Sequence, residues 1–122
     1  MTDTDKKTQL SAIEKAKGHF KQKVGGDQLK YYCKEWDIDI YYKATANLAV
    51  ENKIMSLQQQ GKTAEALVES VLCKAMDKDG NLLFKPTDRA AFLHEVDPQV
   101  IIAIATKLNN ANADTVEDIV KN

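Results

Sequence analysis

Apolar and polar positions follow two different periods along this chain, and the change from one to the other divides it. Over residues 8–24, Leu10, Ile13, Phe20 and Val24 fall at helical spacings while Lys15, Lys17, Lys21 and Lys23 take mostly the remaining surface. That pattern predicts an amphipathic helix with a basic side, ended by Gly25-Gly26-Asp27. From Leu29 to Lys43 the period drops to two: Leu29, Tyr31 and Cys33 alternate with Lys30, Tyr32 and Lys34, and Ile38, Ile40 and Tyr42 with Asp39, Tyr41 and Lys43. Two short strands turning near Glu35-Trp36-Asp37 follow. A lone hairpin is marginal in water, so its apolar face is expected against helices.

Helical spacing then returns. Thr45 is placed to cap a helix reaching about Gln60, with Leu48, Ala49, Glu51, Asn52, Met55 and Gln59 in apolar and polar stripes. Gly61 stops it, and Thr63 is the expected cap of a second helix to about Met76. The broad face of that helix, Leu67, Val68, Val71, Leu72, Ala75 and Met76, needs a partner surface. Asp77-Lys78-Asp79-Gly80-Asn81 is turn chemistry, Leu82-Leu83-Phe84 a short extended apolar anchor, and Pro86-Thr87-Asp88 opens a helix through Ala91, Phe92 and Val96. Asp97-Pro98 repeats that start signal, with Asp as N-cap, before a face of Val100, Ile101, Ile104, Ala105 and Leu108. Residues 109–114 stop this helix, and the last segment, with Ile119 and Val120, is expected to fray or to dock only on a partner. The expected fold class is mainly α: a small helical domain with a short two-stranded β-hairpin near residues 29–43, a minor α+β element. One domain is expected over residues 1–122, with a polar tail at 1–7 and the fraying segment at 110–122.

Composition narrows the function classes. At 122 residues, 43% apolar and 29% charged, the chain is long enough for one hydrophobic core and far from the disordered corner of composition space. The net charge is −1, with nine Lys against seven acids in residues 1–43 and eight basic against eleven acidic side chains thereafter. A mildly basic front and an acidic rear supply little attraction for phosphates, and Arg89, the one arginine, leaves sequence-specific DNA reading without its usual side chain. No signal peptide or run of eighteen apolar residues occurs, so a cytosolic protein with no membrane span is expected. Cys33 and Cys73, forty residues apart, fit reduced thiols better than a disulfide framework.

Several residue spacings come near those of known chemical sites. Asp77, Asp79, Asn81 and Asp88 fall at positions 1, 3, 5 and 12 of a calcium loop, but Leu82 stands where that loop needs glycine, and Lys85 stands at the ninth position. Gly61-Lys62-Thr63 matches the end of a phosphate-binding loop whose first glycine is replaced by Ser56 in a helical context. His19 and His94 have no ligand-spaced neighbours, and neither cysteine has a histidine near it in sequence. Trp36 with Tyr31, Tyr32, Tyr41 and Tyr42 reads as cross-strand packing or a protein interface before a stacking platform for bases. The expectation is a non-catalytic protein without metal or cofactor. Two stripes, Leu67, Val68 and Val71 or Val100, Ile101 and Ile104, are the candidate partner-binding residues, with core the better reading for at least one set. The alternative is a small nucleic-acid-binding regulator using Lys15, Lys17, Lys21 and Lys23 on its basic first helix.

Three stretches together resemble the tail assembly chaperones of long-tailed bacteriophages. They are Trp36 followed by Ile40-Tyr41-Tyr42-Lys43, Thr45 and Glu51; the Leu67-to-Met76 helix leading into Asp79-Gly80-Asn81-Leu82-Leu83-Phe84; and Asp88 through Leu93 followed by Asp97-Pro98-Gln99-Val100-Ile101 and Ile104. The similarity covers about residues 30–108 as a pattern of residue types and spacings. It implies a protein of the infected host's cytoplasm, absent from the mature virion, that associates with the tape measure protein and helps the tail tube protein polymerise around it. In that family a ribosomal frameshift often yields a longer product whose extension recruits tube subunits, and this chain would be the short form. Self-association into rings or filaments also suits an assembly factor. The basic first helix departs from the family pattern.

Overall fold

The computed structural model describes residues 10–26 and 28–110. Helix α1 (Ala12–Gly25) starts at a capping box: the Glu14 amide donates to Ser11 Oγ at 3.2 Å, and the Ser11 amide donates to Glu14 Oε1 at 3.1 Å. Strands β1 (Leu29–Cys33) and β2 (Ile38–Tyr42) pair antiparallel with Leu29 opposite Tyr42, Tyr31 opposite Ile40 and Cys33 opposite Ile38. The period of two therefore puts Cys33, Ile40 and Tyr42 in the interior and leaves Lys30, Tyr32 and Asp39 outside, as the alternation predicts. Asp37 closes the turn in the left-handed region (φ 54°), and its carboxylate accepts the Tyr32 hydroxyl at 2.6 Å.

Helix α2 (Leu48–Gln59) begins two residues later than a Thr45 cap would place it. Asn47 is the cap, its side-chain oxygen accepting the Val50 amide at 3.0 Å, while the Thr45 hydroxyl donates to the Ala46 carbonyl. At the other end, the Gly61 amide donates to the Gln58 carbonyl and the Lys62 amide to the Leu57 carbonyl, with Gly61 at φ 77°. This pair of bonds is a Schellman stop, which needs the left-handed glycine. Helix α3 (Thr63–Lys74) follows directly, with Lys62 in the cap position and Thr63 as its first residue, so the expected Thr63 cap is corrected by one position.

Past α3 the chain lies along the hairpin. Tyr41 and Met76 exchange two backbone bonds of 2.8 Å, and Met76 in turn bridges to Leu82, so 76–82 extends the hairpin by a short third arm. A 3-10 turn, Pro86–Asp88, leads into the six-residue α4 (Arg89–His94), which ends before Val96. Helix α5 (Pro98–Asn109) opens as its sequence predicts: Asp97 accepts the Gln99 amide at 2.9 Å, and Pro98 takes the first helical position. The structure is mainly α with a minor β-hairpin.

One core joins hairpin and helices. Cys33, Ile40 and Tyr42 meet Val68, Val71, Leu72 and Ala75 of α3, Phe92 of α4, and Val100, Ile101, Ile104, Ala105 and Leu108 of α5. Trp36 at the hairpin tip stacks on Phe92 with centroids 6.2 Å apart, and Phe84 meets Phe92 edge-on at 4.8 Å, which ties the tip to α4. The expected polar tail 1–7 and the segment 111–122 lie outside the described residues.

Candidate protein-binding surfaces and a buried ionic centre

The two stripes singled out by periodicity are mostly interior. Val68, Val71, Val100, Ile101 and Ile104 are all buried in the core, and Leu67 is half-buried against it. The physical reason is that α3 and α5 face each other and the hairpin covers them, so each stripe is the partner the other requires. In the structure these five residues are core.

Uncovered apolar surface lies elsewhere. No residue of α1 is buried; Ile13 is 63% exposed, and Leu10, just before the helix, is 51% exposed. At about 100° per residue Leu10, Ile13, Phe20 and Val24 share one side, with Lys17 set among them, so this helix presents an uncovered stripe that is thinner and more mixed than those of α3 and α5. Lys15, Lys17, Lys21 and Lys23 are exposed, but the same geometry spreads them around the helix rather than along one phosphate-tracking side.

Two grooves lie at opposite ends of the α3/α5 pair. The first, about 280 Å³, is lined by Val50, Met76 and Leu108 from the body and by Phe20 and Val24 of α1, with Cys73, Lys74 and Asn109 beside them. The second, about 260 Å³, is bounded by Ala64, Leu67, Phe92, Leu93, Ile101 and Ile102. It holds the half-buried Leu67 and, at its floor, the buried Val68 and Ile101 of the predicted stripes, together with the exposed Leu93 and Ile102. Because both N-termini of α3 and α5 line the second groove and both C-termini line the first, the two helices run in the same direction.

A charged centre that periodicity did not single out sits on the α2 side of α3. Glu69 is 2% exposed; its Oε2 meets Lys53 Nζ at 2.9 Å and accepts the Cys73 thiol at 3.0 Å, and its Oε1 meets Arg89 at 2.7 Å. Burial works against the charge of Glu69, but the hydrogen bonds from Lys53, Cys73 and Arg89, with the Arg89 charge, outweigh it and hold the carboxyl at about 2. Burial, then the hydrogen bond to the Glu69 carboxylate and its charge, push the Cys73 thiol up to about 11. A nucleophilic cysteine needs the opposite shift. A second chain runs alongside: Lys74 is held by both Glu51 oxygens and by Asn109, Asn109 donates to Ser70, and the buried Ser70 hydroxyl returns to the Ala66 carbonyl at 2.9 Å. The only sequence signal for the centre was an acid inside the apolar arc of α3 with Cys73 one turn on; Lys53 and Arg89 reach it from other helices.

The acids at calcium-loop spacing serve local structure. Asp77 accepts the Asp79 and Asn81 amides at 2.9 and 3.0 Å, and Asp88 accepts the Lys85 amide, so these acids shape turns. His19 and His94 are exposed, Cys33 and Cys73 are free thiols, and no group of three His, Cys, Asp or Glu converges for a metal among the described residues. No described helix is long and apolar enough to cross a membrane. Compared with known proteins, the chain matches no family model, no curated sequence and no solved structure.

Proposed function

We propose that this chain is a non-catalytic assembly chaperone of a long-tailed bacteriophage, which binds the tape measure protein and assists polymerisation of the tail tube protein in the host cytoplasm. The observation that supports this reading is the distribution of apolar surface: the facing sides of α3 and α5 are sealed in the core, while α1 and the groove at Leu67, Leu93 and Ile102 stay open. Isolated exposed apolar residues are ordinary, but a helix with no buried residue and a one-sided apolar stripe is suited to receive another chain. A long helical client with apolar stripes aggregates until its tube encloses it, and covering those stripes needs greasy helices and no catalytic group. On this reading the protein uses no cofactor and leaves before the virion matures.

Co-expression with a tape measure fragment tests the proposal. The fragment is expected to become soluble and to be retained by the tagged protein, and Ile13→Asp combined with Ile102→Asp should release it. A well-folded protein that never retains the fragment at any salt concentration would falsify the reading. The same purified protein on a gel-shift with DNA and RNA at low salt distinguishes the regulator alternative, which requires a salt-dependent shift lost when Lys15, Lys17, Lys21 and Lys23 are neutralised.

A further inference from the structure

We infer that two copies of this chain pair antiparallel through the free edge of β1, Lys30 of each lying across from Tyr32 of the other, to give a four-stranded sheet in the order β2-β1-β1-β2. The backbone identifies the edge. Tyr41 directs its own amide and carbonyl to Met76, away from β1, so Lys30 opposite it belongs to a non-hydrogen-bonded pair and turns its amide and carbonyl outward. Alternation does the same for Tyr32, opposite Asp39. No described residue hydrogen-bonds to these four groups, and both side chains are exposed, Tyr32 by 52%. On its other side the sheet is already joined, β2 to Met76, so pairing through β1 closes at two copies.

The occupant follows from self-complementarity. A short strand edged by lysines resists most partners, and Lys30 and Lys34 guard this one. In an antiparallel pair of β1 strands, outward residues face outward residues, so setting Lys30 against Lys30, or Lys30 against Lys34, opposes two ammonium groups and is destabilising. The register with Lys30 across from Tyr32 separates them, places Lys34 opposite Gln28, and occurs twice about the two-fold axis. Each lysine then lies on a ring whose hydroxyl donates to Asp37 at 2.6 Å and whose cross-strand neighbour is Asp39. Within one copy, neither Lys30 nor Asp37 nor Asp39 has an ion-pair partner among the described residues. The hairpin as a whole is balanced, Lys30, Lys34 and Lys43 against Glu35, Asp37 and Asp39, so no net charge opposes approach. Tyr31, half-buried against the core, falls on the axis and meets its own copy in the closer, non-hydrogen-bonded kind of pair. Neither α1 nor the Leu67 groove takes part, so the pairing is independent of the chaperone reading.

Sedimentation and amide NMR shifts of the full chain, followed from about 20 μM to about 1 mM, should show a monomer–dimer equilibrium whose largest shifts fall at Lys30 and Tyr32. Lys30→Glu brings a carboxylate against Asp37 and Asp39 at both copies of the contact and should weaken the dimer about tenfold or more. Adding Asp39→Lys should restore most of the loss, which a role of Lys30 in folding alone would not produce. Tyr32→Pro removes the ring and an outward amide while sparing the β1–β2 ladder, and should abolish the dimer. Lys30→Glu, a change at an exposed position, should keep the wild-type unfolding midpoint, so its result stands even where Tyr32→Pro fails to fold. A chain that stays monomeric throughout, or a dimer indifferent to Lys30→Glu, would overturn the inference. So would a dimer whose shifts fall on α1 or the Leu67 groove, or a β1 edge that accepts an extended client segment and never a second copy.

Discussion

Helices α1 and α3 have similar lengths, and both carry apolar residues on one side, yet they end in opposite situations. Six of the twelve residues of α3 are buried, including a glutamate and a serine, while none of the fourteen residues of α1 is. Part of the difference lies within the helices, since α3 carries a denser set of apolar residues than α1. The rest lies in what surrounds them: α3 has α2, α5, α4 and the hairpin around it, whereas α1 precedes the hairpin and borders the groove of the body with Phe20 and Val24. An amphipathic stripe states that a partner is needed and leaves open whether that partner is inside the same chain.

Core truncation should break the comparison most visibly. Ile104 is fully buried between α3 and the hairpin, and Ile104→Ala should cost about 2–5 kcal/mol of stability in urea unfolding, whereas Ile13→Ala in α1 should cost no more than about 0.5 kcal/mol. Equal losses in the two variants would mean that α1 is part of the cooperative core. Next in size is the ionic centre. Arg89→Ala leaves Glu69 buried with Lys53 and Cys73 alone, and should cost roughly 1–3 kcal/mol by the same measurement.

Glu69 also sharpens the contrast through pH. Its carboxyl stands at about 2 in the fold against an ordinary 4.5, so the fold binds fewer protons than the unfolded chain in this range. Its contribution is therefore complete above about pH 4.5 and declines as pH falls toward 2. Glu69→Gln removes that dependence: over pH 4.5 to 2 its stability curve should be flatter than that of the wild type. Parallel curves would show that the carboxylate is not held ionised by its partners. Cys73 follows with the reverse sign, its thiol raised from 9 to about 11, so at pH 8 iodoacetamide should label it tens of times more slowly than a free thiol, and unfolding should abolish the difference.

How much of this was readable beforehand depended on the range of the interaction. The hairpin, its register-setting alternation and the Asp97-Pro98 start of α5 are properties of neighbouring residues, and they appear where the pattern places them. Thr45 and Asn47 are both able to cap, and only the path of the chain leaving β2 decides for Asn47. The stripes of α3 and α5 were visible, but their mutual burial was not, because it depends on α4 and the 76–82 arm carrying α5 back alongside α3 in the same direction. The Glu69 centre was least legible of all: its cations come from Lys53 and Arg89, sixteen and twenty residues away in opposite directions along the sequence.

The smallest effect expected is also the one that separates a locally held helix from a packed one. If α1 is ordered by its own start signal, Ser11→Ala, which removes the hydroxyl that accepts the Glu14 amide, should loosen the whole helix while leaving the core untouched. Hydrogen exchange reads the two separately. Amides of α1 should exchange about three to ten times faster in Ser11→Ala, while those of Val71, Leu72 and Ile104 keep their wild-type rates, since none of these residues touches the cap. The converse pairing makes the result specific: Phe20→Asp with Val24→Asp leaves the cap intact but removes the contact with the groove, so it should speed exchange at the C-terminal half of α1 more than at Ile13. Were Ser11→Ala instead to accelerate α3 and α5 together with α1, the first helix would be energetically part of the core despite having no buried residue, and the distinction between sealed and open stripes would lose its physical basis.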